Sequence, residues 1–308
     1  MPHPAPRTWH AALRTALPLA LACAAAPAHA AAGSAGKLLL TGGVSSIDGA
    51  AGGGLTPWAV TGSYASRGQV GATAHITRVR TQDYGLTTGG VAISFSDRIE
   101  ASIARQNFDT GPTGVALGLP GLHLRQDIIG FKARVLGDAV LDSDRWLPQL
   151  ALGVEIKRSS AGDLAPTLKV LGARDTGTDW YVSATKLFLA PGVLVNATLR
   201  STKANQNGLL GFGGTQHSGA KLQPEISLAW LLNKHVAVGA EWRAKPDNLN
   251  PSILGAALKE DDWADLFVAW APNKHLSLTL AYVDLGHIVP GFVPRRQTGG
   301  YLSAQIAF

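Results

Sequence analysis

The C-terminal stretch Gly299 to Phe308, G-G-Y-L-S-A-Q-I-A-F, decides the fold. Leu302, Ala304, Ile306 and Phe308 fall on one face of an extended chain, and Tyr301, Ser303, Gln305 and Ala307 on the other. Successive side chains of a strand point to opposite faces, so this period of two describes a strand between an apolar medium and a polar interior. A globular edge strand can carry the same alternation, so the question passes to the rest of the chain.

The first thirty residues place a basic segment with Arg7 and Arg14 before the apolar run Leu17 to Ala26 and the small-x-small pattern Ala28-His29-Ala30. This is the layout of a secretory signal peptide over residues 1–30, which leaves 31–308 as the mature chain. Pro18 interrupts the apolar run, which is shorter than the ~20 residues a helical anchor needs. Leu21-Ala22-Cys23 is only a partial lipobox, because Ala20 stands where that motif wants leucine. Met1 and Cys23 are the only sulfur residues, so the mature chain is without disulfides, thiolate catalysis and cysteine-ligated metals. Losing Arg7 and Arg14 lowers the formal charge from +6 to +4, too mild and too evenly spread for a nucleic-acid partner.

No apolar run long enough for a membrane helix follows the signal, but segments of about ten residues with alternating character do. They run from Lys37 to Ile47, Trp58 to Ser66, Gln69 to Arg80, Tyr84 to Phe95, Arg98 to Phe108, His123 to Leu136 and Leu147 to Arg158. The series continues with Asp179 to Phe188, Val193 to Thr202, Gln223 to Leu232, His235 to Ala244, Asp262 to Ala271, His275 to Leu285 and Gln297 to Phe308. Tight turns at Arg67-Gly68, Ser96-Asp97, Ala190 to Gly192, Asn233-Lys234 and Pro272 to Lys274 alternate with long polar connections from the fourth strand onward. The predicted architecture is an all-β, up-and-down antiparallel transmembrane β-barrel of about 14 strands, with 12 as the alternative if closure falls on a later strand. In the fourteen-strand arrangement, the terminal strand lies between His275 to Leu285 and Lys37 to Ile47. The glycine-rich Gly49 to Gly54 has no Lys-Ser/Thr and no helix after it, so it reads as a loop and not a phosphate cradle.

Charges collect on one face of these strands. A charge facing lipid near the midplane costs about 2–4 kcal/mol, so Glu225, Glu241 and Arg243 are assigned to the lumen. Lys132 and Arg134 share a face with Gln126, and Glu155 and Lys157 share one with Gln149, which gives a lumen holding both signs of charge. The connection Lys203 to Leu222 sets Leu209, Leu210 and Phe212 among glycines. Such a patch is unusual on a surface, so the loop either folds inward as a constriction or extends strands into the headgroup region.

Several linear stretches resemble a proteobacterial outer-membrane family, the domain of unknown function 3034. They include Gly52-Gly53-Gly54-Leu55-Thr56-Pro57-Trp58-Ala59, Asp144-Arg145-Trp146-Leu147-Pro148, Lys245-Pro246-Asp247-Asn248-Leu249 and Pro272-Asn273-Lys274-His275-Leu276-Ser277-Leu278. The most distinctive is Lys203-Ala204-Asn205-Gln206-Asn207-Gly208-Leu209-Leu210-Gly211-Phe212-Gly213-Gly214. The resemblance implies an outer-membrane location in a Gram-negative bacterium and carries no activity and no functional residue with it. The aromatic-ended C-terminal strand resembles the signal read by the barrel-assembly machinery, which with outer-membrane lipid makes up the expected partners.

No catalytic, cofactor or metal site is expected. His75, His123, His217, His235, His275 and His287 contain no pair at metal-ligand spacing. Glu260, Asp261, Asp262 and Asp265 read as a solvated strand entrance sooner than a cation site. No Gly-x-Ser-x-Gly elbow supports an outer-membrane hydrolase, which is the weaker alternative. The leading expectation is a passive channel for an unidentified small solute, with the seven lumen charges tuning selectivity. The runner-up is a non-conducting structural or surface-interaction barrel.

Overall fold

The computed structural model describes residues 37–140, 146–250 and 254–308. The expected signal peptide and Cys23 lie outside them. Two short strands, β1 (Val44–Ser45) and β2 (Ala51–Gly52), form a small antiparallel hairpin. Twelve longer strands follow: β3 (Val70–Thr81), β4 (Gly85–Phe95), β5 (Ile99–Asp109), β6 (His123–Leu136), β7 (Gln149–Ser160) and β8 (Thr176–Phe188), then β9 (Val193–Thr202), β10 (Lys221–Leu231), β11 (Val236–Arg243), β12 (Trp263–Asn273), β13 (Leu276–Asp284) and β14 (Thr298–Ala307). Each pairs antiparallel with its sequence neighbours, and β14 pairs with β3, Tyr301 opposite Val79 and Gln305 opposite His75, closing the ring.

The wall therefore has twelve strands, the alternative count, and the terminal strand closes on β3 instead of on Lys37 to Ile47. Lys37 to Ile47 and Trp58 to Ser66 are not wall strands. Residues 40–65 are almost entirely buried inside the barrel, and Arg67-Gly68 links this internal segment to β3 instead of joining two wall strands. The physical reason lies in the small residues. Gly42, Gly43, Gly52, Gly53, Gly54, Pro57 and Gly62 weaken or interrupt a ladder, and an even strand count does not distinguish fourteen from twelve. The glycine-rich stretch turns within the interior, where Gly49 has a positive φ of 94° and Gly53 packs against the Glu241 carboxylate.

The remaining turns are built as the alternation predicts. Ser96 and Asp97 both adopt positive φ, 54° and 53°, in the tight β4–β5 turn. The β10–β11 and β12–β13 turns use one device twice. Asn233 Oδ1 accepts from the amides of His235 and Val236, and Asn273 Oδ1 from those of His275 and Leu276. His235 and His275 then place Nδ1 against the carbonyls of Ala271 and Ala307, at 2.7 and 3.0 Å, an interstrand contact at the barrel end.

Outward positions form the belt a barrel needs in lipid. Ile76, Ile93, Leu152, Leu228, Leu266, Leu280 and Leu302 are exposed along the mid-wall, and Phe95, Phe188, Trp230, Trp270 and Phe308 gather at the tight-turn end. Outward Arg80, Arg125 and Arg158 sit toward the opposite ends of their strands, while Arg78, across the ladder from Leu302, and Arg105 stand nearer mid-wall, where Arg105 pairs with Asp127 at 2.6 Å. Closure leaves no edge, and the belt covers the backbone ladder with apolar side chains. Together these are the requirements for spanning an outer membrane with strands. Tight turns mark the periplasmic end and long loops the outer face. Leu280→Arg, in the centre of β13, is expected to lower folding stability in bilayers by about 2–4 kcal/mol. Urea titration of the protein refolded into liposomes measures this, and a neutral result would displace β13 from the lipid-facing wall.

Candidate functional site: the occluded lumen

Small barrels of about eight strands fill with their own side chains, whereas sixteen strands leave an aqueous channel. A twelve-strand wall is too wide for the first arrangement, and here the internal segment supplies the filling. The segment has little regular structure, so its backbone polar groups need partners. The inward side chains of the wall provide them.

Near the periplasmic end Glu100 accepts from the amides of Ala51 and Gly62 at 2.9 and 2.7 Å, while Lys132 Nζ donates to the Ala51 carbonyl at 2.8 Å and pairs with Glu100 at 3.0 Å. Ser183, Asn196 and Thr198 donate to the Pro57 carbonyl, Ala59 N donates to Thr185 Oγ1 at 2.8 Å, and Gln149 donates to the Ala59 carbonyl. Trp58 Nε1 donates to Ser227 Oγ at 3.0 Å. Glu241 accepts from Leu55 N at 2.8 Å, Thr56 Oγ1 at 2.6 Å and Ser227 Oγ at 2.7 Å. Below these, Trp58, Val60, Leu187, Leu194, Ala237 and Phe267 form an apolar cluster between segment and wall.

Higher in the barrel the segment ends in an ion network. Asp48, at the hairpin tip, accepts from Arg243 Nη2 at 2.8 Å and lies 3.6 Å from Lys157 Nζ. Lys157 also meets Asp179 at 3.0 Å and Glu155 at 3.2 Å. Arg200 joins Glu225 at 2.5 Å, Glu155 at 2.7 Å and Asp179 at 3.5 Å, and Arg243 joins Glu225 at 3.2 Å. All these side chains are buried.

The seven charges assigned to the lumen thus all point into the barrel, but they bind protein. Arg134 sits lowest, paired with Asp97 and with Asp138 at 2.9 Å. Sequence reasoning missed Asp48, Glu100, Asp179 and Arg200. Asp48 stands in what reads as a polar loop, and Arg200 lies so near its strand end that alternation alone does not orient it. Asp265 was missed as a lumen group too: it is buried directly across the ladder from Glu241.

The outer side closes with the loop between β9 and β10. Leu209, Leu210 and Phe212 are buried, and Phe212 packs against Gly177 and Gly208 while bridging Arg174 and Ala204. Gln206 and Asn207 adopt positive φ, 44° and 60°, a conformation that non-glycine residues hold only when their surroundings impose it. Those surroundings are visible. Asn207 donates to Asp48 Oδ1 at 2.7 Å, accepts from Lys157 Nζ at 3.1 Å, and its carbonyl accepts from Gln126 at 3.0 Å. Internal segment and inward loop therefore meet at one carboxylate.

Glu260, Asp261 and Asp262 at the rim do not converge. Glu260 accepts from Gln206 N and lies 3.5 Å from Lys245, Asp261 meets His287 Nδ1 at 2.6 Å, and Asp262 accepts from Lys245 N. No hydroxyl is hydrogen-bonded to the His287 ring among the described residues, and among them no three His, Cys, Asp or Glu side chains gather as for a metal.

Arg200 is the hub of the network, and its removal leaves three buried carboxylates short of a partner. Arg200→Ala is expected to reduce stability by about 3–5 kcal/mol in chemical denaturation. A second expectation concerns pH. Burial pushes the Glu260 carboxyl up to about 7, against the opposing pull of Lys245 and the Gln206 amide, and burial also lowers the Lys245 ammonium. The Glu260 folded-state value lies above the unfolded one, so its stabilising contribution is full below about 4.5 and is lost as pH rises through about 7. Glu260→Gln should gain thermal stability over the parent as pH goes from about 5 to about 8. A melting-point difference that stays constant over that range would count against the assignment.

A closed twelve-strand wall with an apolar belt and a polar, internally filled lumen is an outer-membrane β-barrel. The chain belongs to the family described as protein of unknown function (DUF3034), whose profile matches residues 41–305. A comparison with curated proteins finds no match. Among solved structures the chain is similar to the NanC porin, at 8% identity and a TM-score of 0.49, covering 76% of this chain and 98% of that one. It is also similar to the COG4313 outer membrane channel from Pseudomonas putida F1, at 11% identity and 0.47, covering 80% and 96%. Outer membrane phospholipase A from Escherichia coli follows at 10% identity and 0.43, covering 76% and 92%. Likeness at this level bears on no activity.

Proposed function

We propose that the protein is a gated outer-membrane channel for a small solute, held closed by its own internal segment and inward loop. The chain is exported with residues 1–30 removed, and the assembly machinery receives it through the C-terminal strand. The reading rests on one observation: the wall holds residues 37–69 chiefly through buried polar and charged side chains. Lys132, Glu155, Lys157, Glu225, Glu241 and Arg243 are groups that water or a polar solute can satisfy when the segment withdraws. In this reading the same charges tune selectivity once the lumen is open. A barrel made only for structure has no need of so many buried ions, each of which is expensive to desolvate.

The filled lumen also favours a second reading, a non-conducting barrel that presents its loops. Deletion of residues 37–66 separates the two. Planar-bilayer recording should find the parent protein closed most of the time and the deletion variant steadily conducting, with folding of both verified by heat-modifiable migration. A folded deletion barrel without conductance would sink the channel and leave the structural reading.

A further inference from the structure

Six outer connections converge above the ion network and leave a cavity of about 100 Å³ that opens outward. Tyr84, Phe108, Leu124 and Leu168 are among its walls, and Leu210 of the inward loop and Ile288 of the β13–β14 connection help close it. Its exposed lining is built of carbon. Tyr84, Thr110, Thr113 and Gln206 on its surface are engaged with protein, and the buried Trp263 Nε1 is the polar wall atom left without a hydrogen-bond partner among the described residues. Tyr84 Oη and Thr113 Oγ1 lie 2.6 Å apart, and Thr110 Oγ1 donates to the Leu122 carbonyl at 2.8 Å. Gln206 donates through Nε2 to the Ile288 carbonyl at 2.8 Å and accepts through Oε1 from Lys245 at 2.7 Å.

We infer that this cavity is a binding site for an uncharged apolar molecule, of the chemistry of a medium-length aliphatic chain. Burying an ionised carboxylate or ammonium among these leucines leaves the charge unsolvated, so the site selects against charged amphiphiles of equal length. Tyr84 and Phe108 stack at 5.4 Å and present a flat wall, while leucines supply most of the rest, which favours a flexible aliphatic chain over a rigid polycycle. The chain has two sources, a free hydrophobic molecule arriving from outside or an acyl chain of an outer-leaflet lipid. The occupant touches Leu210, three residues from the Asn207 that holds Asp48. The site goes beyond the gated channel and stands whether or not the barrel conducts, since binding is read without current.

The test uses the full mature protein in lipid nanodiscs and the uncharged fluorophore N-phenyl-1-naphthylamine. Saturable binding of one probe per barrel, above the partitioning into empty nanodiscs, is expected, with displacement by decane and not by decanoate at alkaline pH. Leu164→Trp, which narrows the cavity from its partly exposed wall, should weaken binding by about tenfold or more. Phe292→Trp provides a second narrowing variant should the first fail to fold. Displacement by added lipopolysaccharide identifies the lipid as source, and persistence in its presence identifies a free molecule. Binding no greater than in empty nanodiscs, or unchanged in a folded narrowing variant, overturns the site. Equal displacement by decanoate overturns its selection against charge.

Discussion

The carboxylate of Asp48 joins everything that closes this barrel. It belongs to the internal segment, yet its partners are Arg243 and Lys157 of the wall and Asn207 of the inward loop. Through Lys157 and Arg243 it connects to Arg200, Glu155, Asp179 and Glu225, so three cations and four carboxylates form one buried assembly. Breaking a buried ion pair by removing one member is expensive because the other remains desolvated. Asp48 ties the segment to Lys157 and Arg243 of the wall and to Asn207 of the loop, while the wall groups also pair with one another.

That lock exists because of a geometric constraint. Twelve strands enclose more space than inward side chains can fill, and a dry interior tolerates no unpartnered backbone. The segment solves both problems. It supplies volume, and its amides and carbonyls are matched one by one to Glu100, Lys132, Glu241, Arg243 and the hydroxyls of β8 and β9. Apolar clusters at the two ends enclose this polar middle.

Much of the wall was legible from one dimension. Alternation in His275 to Leu285 and in Gly299 to Phe308 predicts strands that match β13 and β14 to within a residue or two at most ends. Glu225, Glu241 and Arg243 point inward because a charged side chain in lipid is too costly to be placed outward. Among the outward arginines, Arg80, Arg125 and Arg158 stand near the outer strand ends, and Arg105 is paired with Asp127. Leu209, Leu210 and Phe212 announced an oddity, apolar residues among glycines in a stretch outside the wall, while their partners lie on β7, β8 and the β7–β8 connection, distant in sequence. Lys37 to Ile47 and Trp58 to Ser66 misled for a related reason. Inside the barrel, as in its wall, one side of the chain meets apolar groups and the other polar ones, so local alternation looks the same.

By itself the sequence determined the class of fold and the inward direction of Glu225, Glu241 and Arg243, because each depends on local rules: a period of two and the cost of a charge in lipid. Tertiary structure alone decided the strand count, the place of closure and the closed lumen. Those depend on which backbone groups find partners across the interior. Asp48 meets Asn207 across 159 residues of chain, and Ser45 meets Gln305 across 260, so no pattern read along the chain contains either contact.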